Sequence, residues 1–139
     1  MTHNSTYPDQ PKVRYMRFDG TVEIPPGLGR TDRLVVYFYF DVNGQKGEPV
    51  RSVDSDYGTT SGLAACGTSV YDIPREGLDT TWATWLPYKA LDIPHGRNVN
   101  TPDGPKYVAA ETRMIAEPVL LVDDYPIRSG GLIKFFVKR

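Results

Sequence analysis

From Leu34 to Val42 the chain reads Leu-Val-Val-Tyr-Phe-Tyr-Phe-Asp-Val, and Asn43-Gly44 follows at once. Successive side chains of a strand point to opposite faces. Leu34, Val36, Phe38, Phe40 and Val42 therefore share one face, while Val35, Tyr37, Tyr39 and Asp41 share the other. Asn and Gly tolerate the positive φ that a tight two-residue hairpin turn demands, so the pair predicts a hairpin over Asp41 to Pro49.

Other segments carry weaker versions of the same pattern. Val13 to Ile24 sets Met16, Phe18, Val22 and Ile24 on one parity, with a bend expected at Gly20, and Pro25-Pro26-Gly27-Leu28-Gly29 ends it. Short strands are expected over Val50 to Val53 and, after the polar loop Asp54 to Gly62, over Thr68 to Ile73. Thr80 to Leu86 is rich in Thr and Trp, which suit a pleated, half-buried surface. Tyr107 to Ala116 contains good helix formers. Its even positions are nevertheless less polar than Tyr107, Glu111 and Arg113, and a strand is the expectation. Gly131 to Val137 alternates Ile133, Phe135 and Val137 against Leu132, Lys134 and Phe136, and closes the fold.

Trp85 to Gly96 reads Trp-Leu-Pro-Tyr-Lys-Ala-Leu-Asp-Ile-Pro-His-Gly. Pro87 lacks a ladder donor and stops a strand, after which Leu86, Leu91 and Ile93 are expected against the core. With twelve prolines, thirteen glycines and no long helical pattern, the fold class is all-β. The expected architecture is an antiparallel two-sheet β-sandwich of about eight strands. One domain, residues 13 to 139, would follow a flexible or docked arm at residues 1 to 12, and 139 residues suffice for one core.

Sixteen basic residues against seventeen acidic ones, with no basic stripe, argue against nucleic acid as a partner. The opening residues show no export pattern, and no apolar run is long enough for a transmembrane segment. A soluble, cytoplasmic protein is expected. Cys66, the only cysteine, sits among small apolar residues and reads as a small buried hydrophobe.

Candidate chemistry is sparse. His3 and His95 both lie outside strands, no Gly-x-Ser-x-Gly elbow occurs, and no catalytic residues can be assigned, so a non-enzymatic protein is expected. Gly27-Leu28-Gly29-Arg30-Thr31-Asp32 fails as a phosphate loop because a strand follows it and the Lys-Ser/Thr pair is missing. Asp54 and Asp56 in one loop, with Asp123 and Asp124 in another, are candidate metal ligands, and calcium is the cation they would suit. Against this, aspartates favour turns for their own sake. Trp82 and Trp85 raise carbohydrate binding, but on one strand they point to opposite faces, so one is expected in the core and the other at a surface. Tyr37, Tyr39, Tyr107 and Phe136 fall on the second faces of their strands and are the candidate binding residues for a second layer, an oligomer contact or a partner.

The order Leu34 to Phe40, a hairpin, a small-residue strand, then Leu86-Pro87-Tyr88-Lys89-Ala90-Leu91-Asp92-Ile93-Pro94-His95-Gly96 and a long strand resembles bacterial C2-like β-sandwich domains of poorly defined function. Those domains carry an apolar-Pro-Tyr-x-x-Leu-x-Leu-x-x-Gly segment leading into a strand. The resemblance spans residues 13 to 139 and implies a fold more than an activity. The calcium-binding C2 modules place several aspartates on adjacent loops, a pattern matched here only loosely by Asp54, Asp56, Asp123 and Asp124. The resulting expectation is a protein-protein interaction or self-assembly module without a cofactor. The alternative is a calcium- or carbohydrate-binding module.

Overall fold

The computed structural model describes residues 14–139; the arm expected over residues 1–12 lies outside the described residues. Among the described residues eleven strands follow one another rather than about eight: β1 (Tyr15–Ile24), β2 (Thr31–Val42), β3 (Gln45–Pro49), β4 (Ala65–Gly67), β5 (Tyr71–Asp72), β6 (Leu78–Pro87), β7 (Arg97–Thr101), β8 (Gly104–Val108), β9 (Glu111–Val122), β10 (Tyr125–Ser129) and β11 (Ile133–Lys138). Every pairing is antiparallel. Two short 3-10 turns, Ser55–Tyr57 and Tyr88–Ala90, are the helical content of the described residues. Among the described residues no helix is long and apolar enough to cross a membrane.

The two longest strands, β2 and β9, pair from Asp32↔Val122 to Phe40↔Met114 and form the spine of a seven-stranded sheet. Each is flanked by a broken row. Outside β2 lie β5, β4 and β3 in turn, and outside β9 lie β10 and β11. The breaks have local causes. Thr68 takes the Leu34 amide on its hydroxyl at 3.1 Å, so the strand expected over Thr68 to Ile73 gives way to separate β4 and β5. Val50 to Val53 likewise makes only isolated bridges, Arg51 to Leu63 and Ser52 to Leu91.

Pro118 lies inside β9, where a missing donor ought to cost a ladder bond. Its carbonyl accepts from the Gly130 amide at 2.7 Å. The N–H and C=O of one strand residue point the same way, so the missing donor faces the gap between β10 and β11. The proline therefore sits where the flanking row has no amide-accepting strand to lose.

The expected hairpin at Asp41 to Pro49 is present, with Asn43 at φ 54 and Gly44 at φ 84 in the turn. A second tight hairpin joins β9 to β10 through Asp123 (φ 49) and Asp124 (φ 67). Tyr107 to Ala116 is extended as expected, but it is two strands. Ala109 and Ala110 separate them, leaving Tyr107 and Val108 on the β7–β8 hairpin.

β1 and β6 form a two-stranded ribbon, register Tyr15↔Pro87 to Ile24↔Leu78, whose even-numbered face packs on the sheet. The main core joins Met16, Phe18 and Leu86 of the ribbon to Val36, Phe38, Met114, Ala116 and Val137 of the sheet. Phe18, Phe38 and Phe135 meet edge to face, with centroids 5.3, 5.8 and 6.3 Å apart. A smaller cluster holds Ile24, Leu34, Leu120 and Val122, and Trp82 packs against both. Gly20, directly opposite Trp82, is a seat rather than a bend: a Cβ there would lie 3.0 Å from the indole Nε1.

Leu86, Leu91 and Ile93 are buried as expected. The segment that carries them is tied down by Val53 N–H to the Ala90 carbonyl and by Asp92 N–H to the Arg51 carbonyl, both 2.9 Å. Arg139 adds a bond from Nη1 to the Leu91 carbonyl, also 2.9 Å. Gly96 ends the segment because its backbone lies against Val108, whose carbonyl any Cβ would overlap.

Candidate functional site

The second face of the sheet is organised around Glu117. On β9 it stands opposite Tyr37, and it accepts hydrogen bonds from Lys46 Nζ at 3.0 Å, Ser129 Oγ at 2.8 Å and the Tyr39 hydroxyl at 3.5 Å. Lys46 also lies over the Tyr39 ring, 4.9 Å from its centroid. Burial alone would push the Glu117 carboxyl up, but the bonds from Ser129 and Lys46, with the charge of Lys46 and the Tyr39 hydroxyl, bring it below its ordinary value. The Tyr39 phenol is raised, by burial first and by the neighbouring Glu117 charge second. Tyr39 is thus a bonded member of a four-strand polar network.

The four candidate aromatic residues are not brought to one place. Tyr37 and Tyr39 are half-buried neighbours on β2. Phe136 shares that sheet face, but it lies on β11 opposite Arg113, with Lys138 Nζ 5.7 Å from its ring centroid. Tyr107 is exposed on the separate β7–β8 hairpin.

The aspartates serve turns. Asp54 accepts the Asp56 amide at 3.0 Å and caps the first 3-10 turn. Asp123 accepts the Arg30 and Thr31 amides at 3.0 and 2.9 Å, and these bonds hold its carboxyl below the usual range, Thr31 contributing most. Asp124 reaches Arg33 at 3.9 Å. Among the described residues no three His, Cys, Asp or Glu side chains gather to hold a metal ion. Trp82 is core-facing, whereas Trp85 on the opposite face has Arg17 at 5.5 Å from its ring centroid. The two indoles make no common platform.

The two flanks of the ribbon offer more. On the β6 side the ribbon closes on the sheet: Thr84 Oγ1 donates to the Gly67 carbonyl at 3.1 Å, over Cys66. Cys66 is buried as expected, and burial pushes its thiol up to about 12 against the lowering effect of a bond with Thr84. On the β1 side the ribbon does not close. A groove of about 500 Å³ runs between β1 and β11, with Phe18 and Phe135 among its lining residues and Tyr88 and Phe136 also bordering it.

The hydrogen-bond pattern fixes what faces this groove. Tyr88 N–H donates to the Arg14 carbonyl, so the even residues of β1 are bonded to β6, and the main-chain groups of Arg17 and Asp19 point away from it. Arg139 and Ala110 exchange both main-chain bonds, so Val137, Phe135 and Ile133 face β9, and the groups of Lys134 and Phe136 point outward. Two strand edges thus present donors and acceptors to one groove, and no described strand pairs with either.

Sequence reasoning missed this groove because edges are set by pairing, not by side-chain pattern. It also missed Asp32, a buried residue on the core face of β2. The signal was available. Asp32 has the parity of Leu34, Val36 and Phe38, so extending the alternation two residues toward the amino end puts a carboxylate inside. Comparison of the chain with protein-family models, with curated proteins and with solved structures finds no match.

Proposed function

We propose that this chain is a non-enzymatic C2-like β-sandwich module that binds another protein, or a second copy of itself, by accepting an extended segment between β1 and β11. The supporting observation is the pair of outward-facing edges on one groove. An added strand would pair with β1 on one side and β11 on the other, while its inward side chains packed beside Phe18 and Phe135. Unpaired edges are normally blunted by charge or proline. β11 carries Lys134 and Lys138 but also the exposed Phe136, which gives an incoming segment an apolar contact. The lone buried thiol of Cys66 suits a reducing compartment such as the cytoplasm.

The test is amide hydrogen exchange and chemical-shift mapping by NMR with a synthetic extended peptide, Thr-Val-Thr-Phe-Thr-Val-Lys, alongside sedimentation velocity of the protein alone. Arg17, Asp19, Lys134 and Phe136 amides are expected to exchange fast in the monomer. They become protected on peptide addition or on self-association. Asp19→Pro and Lys134→Pro remove one outward donor each without touching the β1–β6 or β9–β11 ladder, and each is expected to weaken the association. A strictly monomeric protein whose edge amides ignore the peptide would sink the proposal.

A further inference from the structure

A second recess lies at the corner of β2, β5 and β6, apart from the groove between β1 and β11. Its volume is about 310 Å³, within the span of small-molecule sites. Val22, Leu34, Leu78 and the Trp82 ring give it apolar walls, and Asp32 and Asp72 line it as well; no Lys, Arg or His does. Asp32 is only 6% exposed, and its Oδ2 is buried with no hydrogen-bond partner among the described residues. The nearby Thr68 hydroxyl is already committed, accepting from the Leu34 amide at 3.1 Å and donating to the Ser69 carbonyl at 3.1 Å.

A buried carboxylate oxygen without a donor is costly, and proteins seldom keep one without a use. Burial raises the Asp32 carboxyl above its ordinary value, as expected for a charge lacking a counterion. The chemistry of the walls selects the missing partner. Two carboxylates repel anions. A bare divalent cation wants six or more oxygens, and no three-carboxylate group is present among the described residues. A neutral apolar solute would leave Oδ2 unsatisfied.

We infer that this recess is a binding site for a small organic ammonium, whose N–H donates to the Asp32 carboxylate while its hydrocarbon body lies against Leu34, Leu78 and Trp82. Asp72, exposed at the rim, adds attraction for the approaching cation. The indole face adds a further contact for positive charge.

Isothermal titration with phenethylammonium and with its neutral counterpart 2-phenylethanol tests the assignment. The wild type is expected to prefer the ammonium by about tenfold or more, as a desolvated charge pair implies. Asp32→Asn keeps the shape and should erase that preference while leaving the weak binding of the alcohol unchanged. Asp72→Asn should weaken the ammonium by about two- to threefold, the size of a rim charge. Thr80→Phe, at an exposed lining position, should block both compounds while Asp32 is retained. A wild type that binds neither compound, or both equally, overturns the inference, as does an Asp32→Asn protein that still prefers the ammonium.

Discussion

The two flanks of the β1–β6 ribbon differ in side-chain size, and the difference decides which one closes. Toward β4 the meeting residues are Ala65, Cys66, Gly67 and Thr84, small enough for the Thr84 hydroxyl to reach the Gly67 carbonyl. Gly67 itself lies so close to β2 that a Cβ would stand 2.8 Å from the Leu34 carbonyl oxygen. Toward β11 the lining residues include the larger Phe18, Phe135, Phe136 and Tyr88, and no backbone pairing joins β1 to β11 across the groove. The ribbon is tied to the sheet by a hydroxyl bond where the facing residues are small, and lies across an open groove where they are large.

The largest expected effect comes from removing the ring shared by the open flank and the core. Phe18→Ala should destabilise by about 3 to 5 kcal/mol, read from urea denaturation, because it forfeits burial and two edge-to-face contacts. A loss under about 1 kcal/mol would mean that the groove collapses readily and the rings do not hold it. Next is the closed flank. Gly67→Ala should cost about 1 to 3 kcal/mol through its collision with the Leu34 carbonyl, and it should speed Cys66 labelling by a thiol reagent in the native state. Unchanged labelling would show that Cys66 is shielded by something other than the close approach of β4 to β2.

The smallest effect, on the order of 1 kcal/mol, concerns two carboxylates with opposite surroundings. Glu117 has three donors and a lowered pKa, so its stabilising contribution is present above the unfolded value of 4.5 and is lost as pH falls through the lower folded value. Asp32 has a raised pKa, so the folded state holds the proton more tightly. Stability from this group falls as pH rises from 3.8 through the higher folded value. Glu117→Gln should thus be less stable than wild type at neutral pH, with the gap closing in acid. Asp32→Asn should be at least as stable as wild type at neutral pH. Denaturation curves at pH 3 and pH 7 check both signs, and a Glu117→Gln protein indistinguishable from wild type at neutral pH would reduce the network to surface decoration.

Much of this fold was legible in the sequence where local chemistry decides it. The alternation of Leu34 to Val42 and the turn at Asn43-Gly44 needed only period and positive φ. Burial of Cys66, Leu86, Leu91 and Ile93 followed from small or apolar residues beside a proline stop. The β9–β10 hairpin was missed because two aspartates occupy the positive-φ positions that Asn-Gly usually advertises, and two of the four residues weighed as metal ligands, Asp123 and Asp124, form that turn. The site was less legible still. Tyr37, Tyr39, Tyr107 and Phe136 share a pattern but not a place, because parity assigns a face within a strand and says nothing of which strands are neighbours.

The sequence by itself determined the all-β class, the main hairpin and part of the core, Leu34, Val36 and Phe38 with Leu86, Leu91 and Ile93, since backbone period, turn chemistry and local apolar pattern are short-range properties. Only the tertiary structure decided that Pro118 meets a gap, that Gly20 seats Trp82, that Asp32 is enclosed without a donor, and that β1 and β11 face each other unpaired. Each of these depends on which distant segment lies alongside, and that is settled by the packing of whole strands rather than by any residue and its neighbours in the chain.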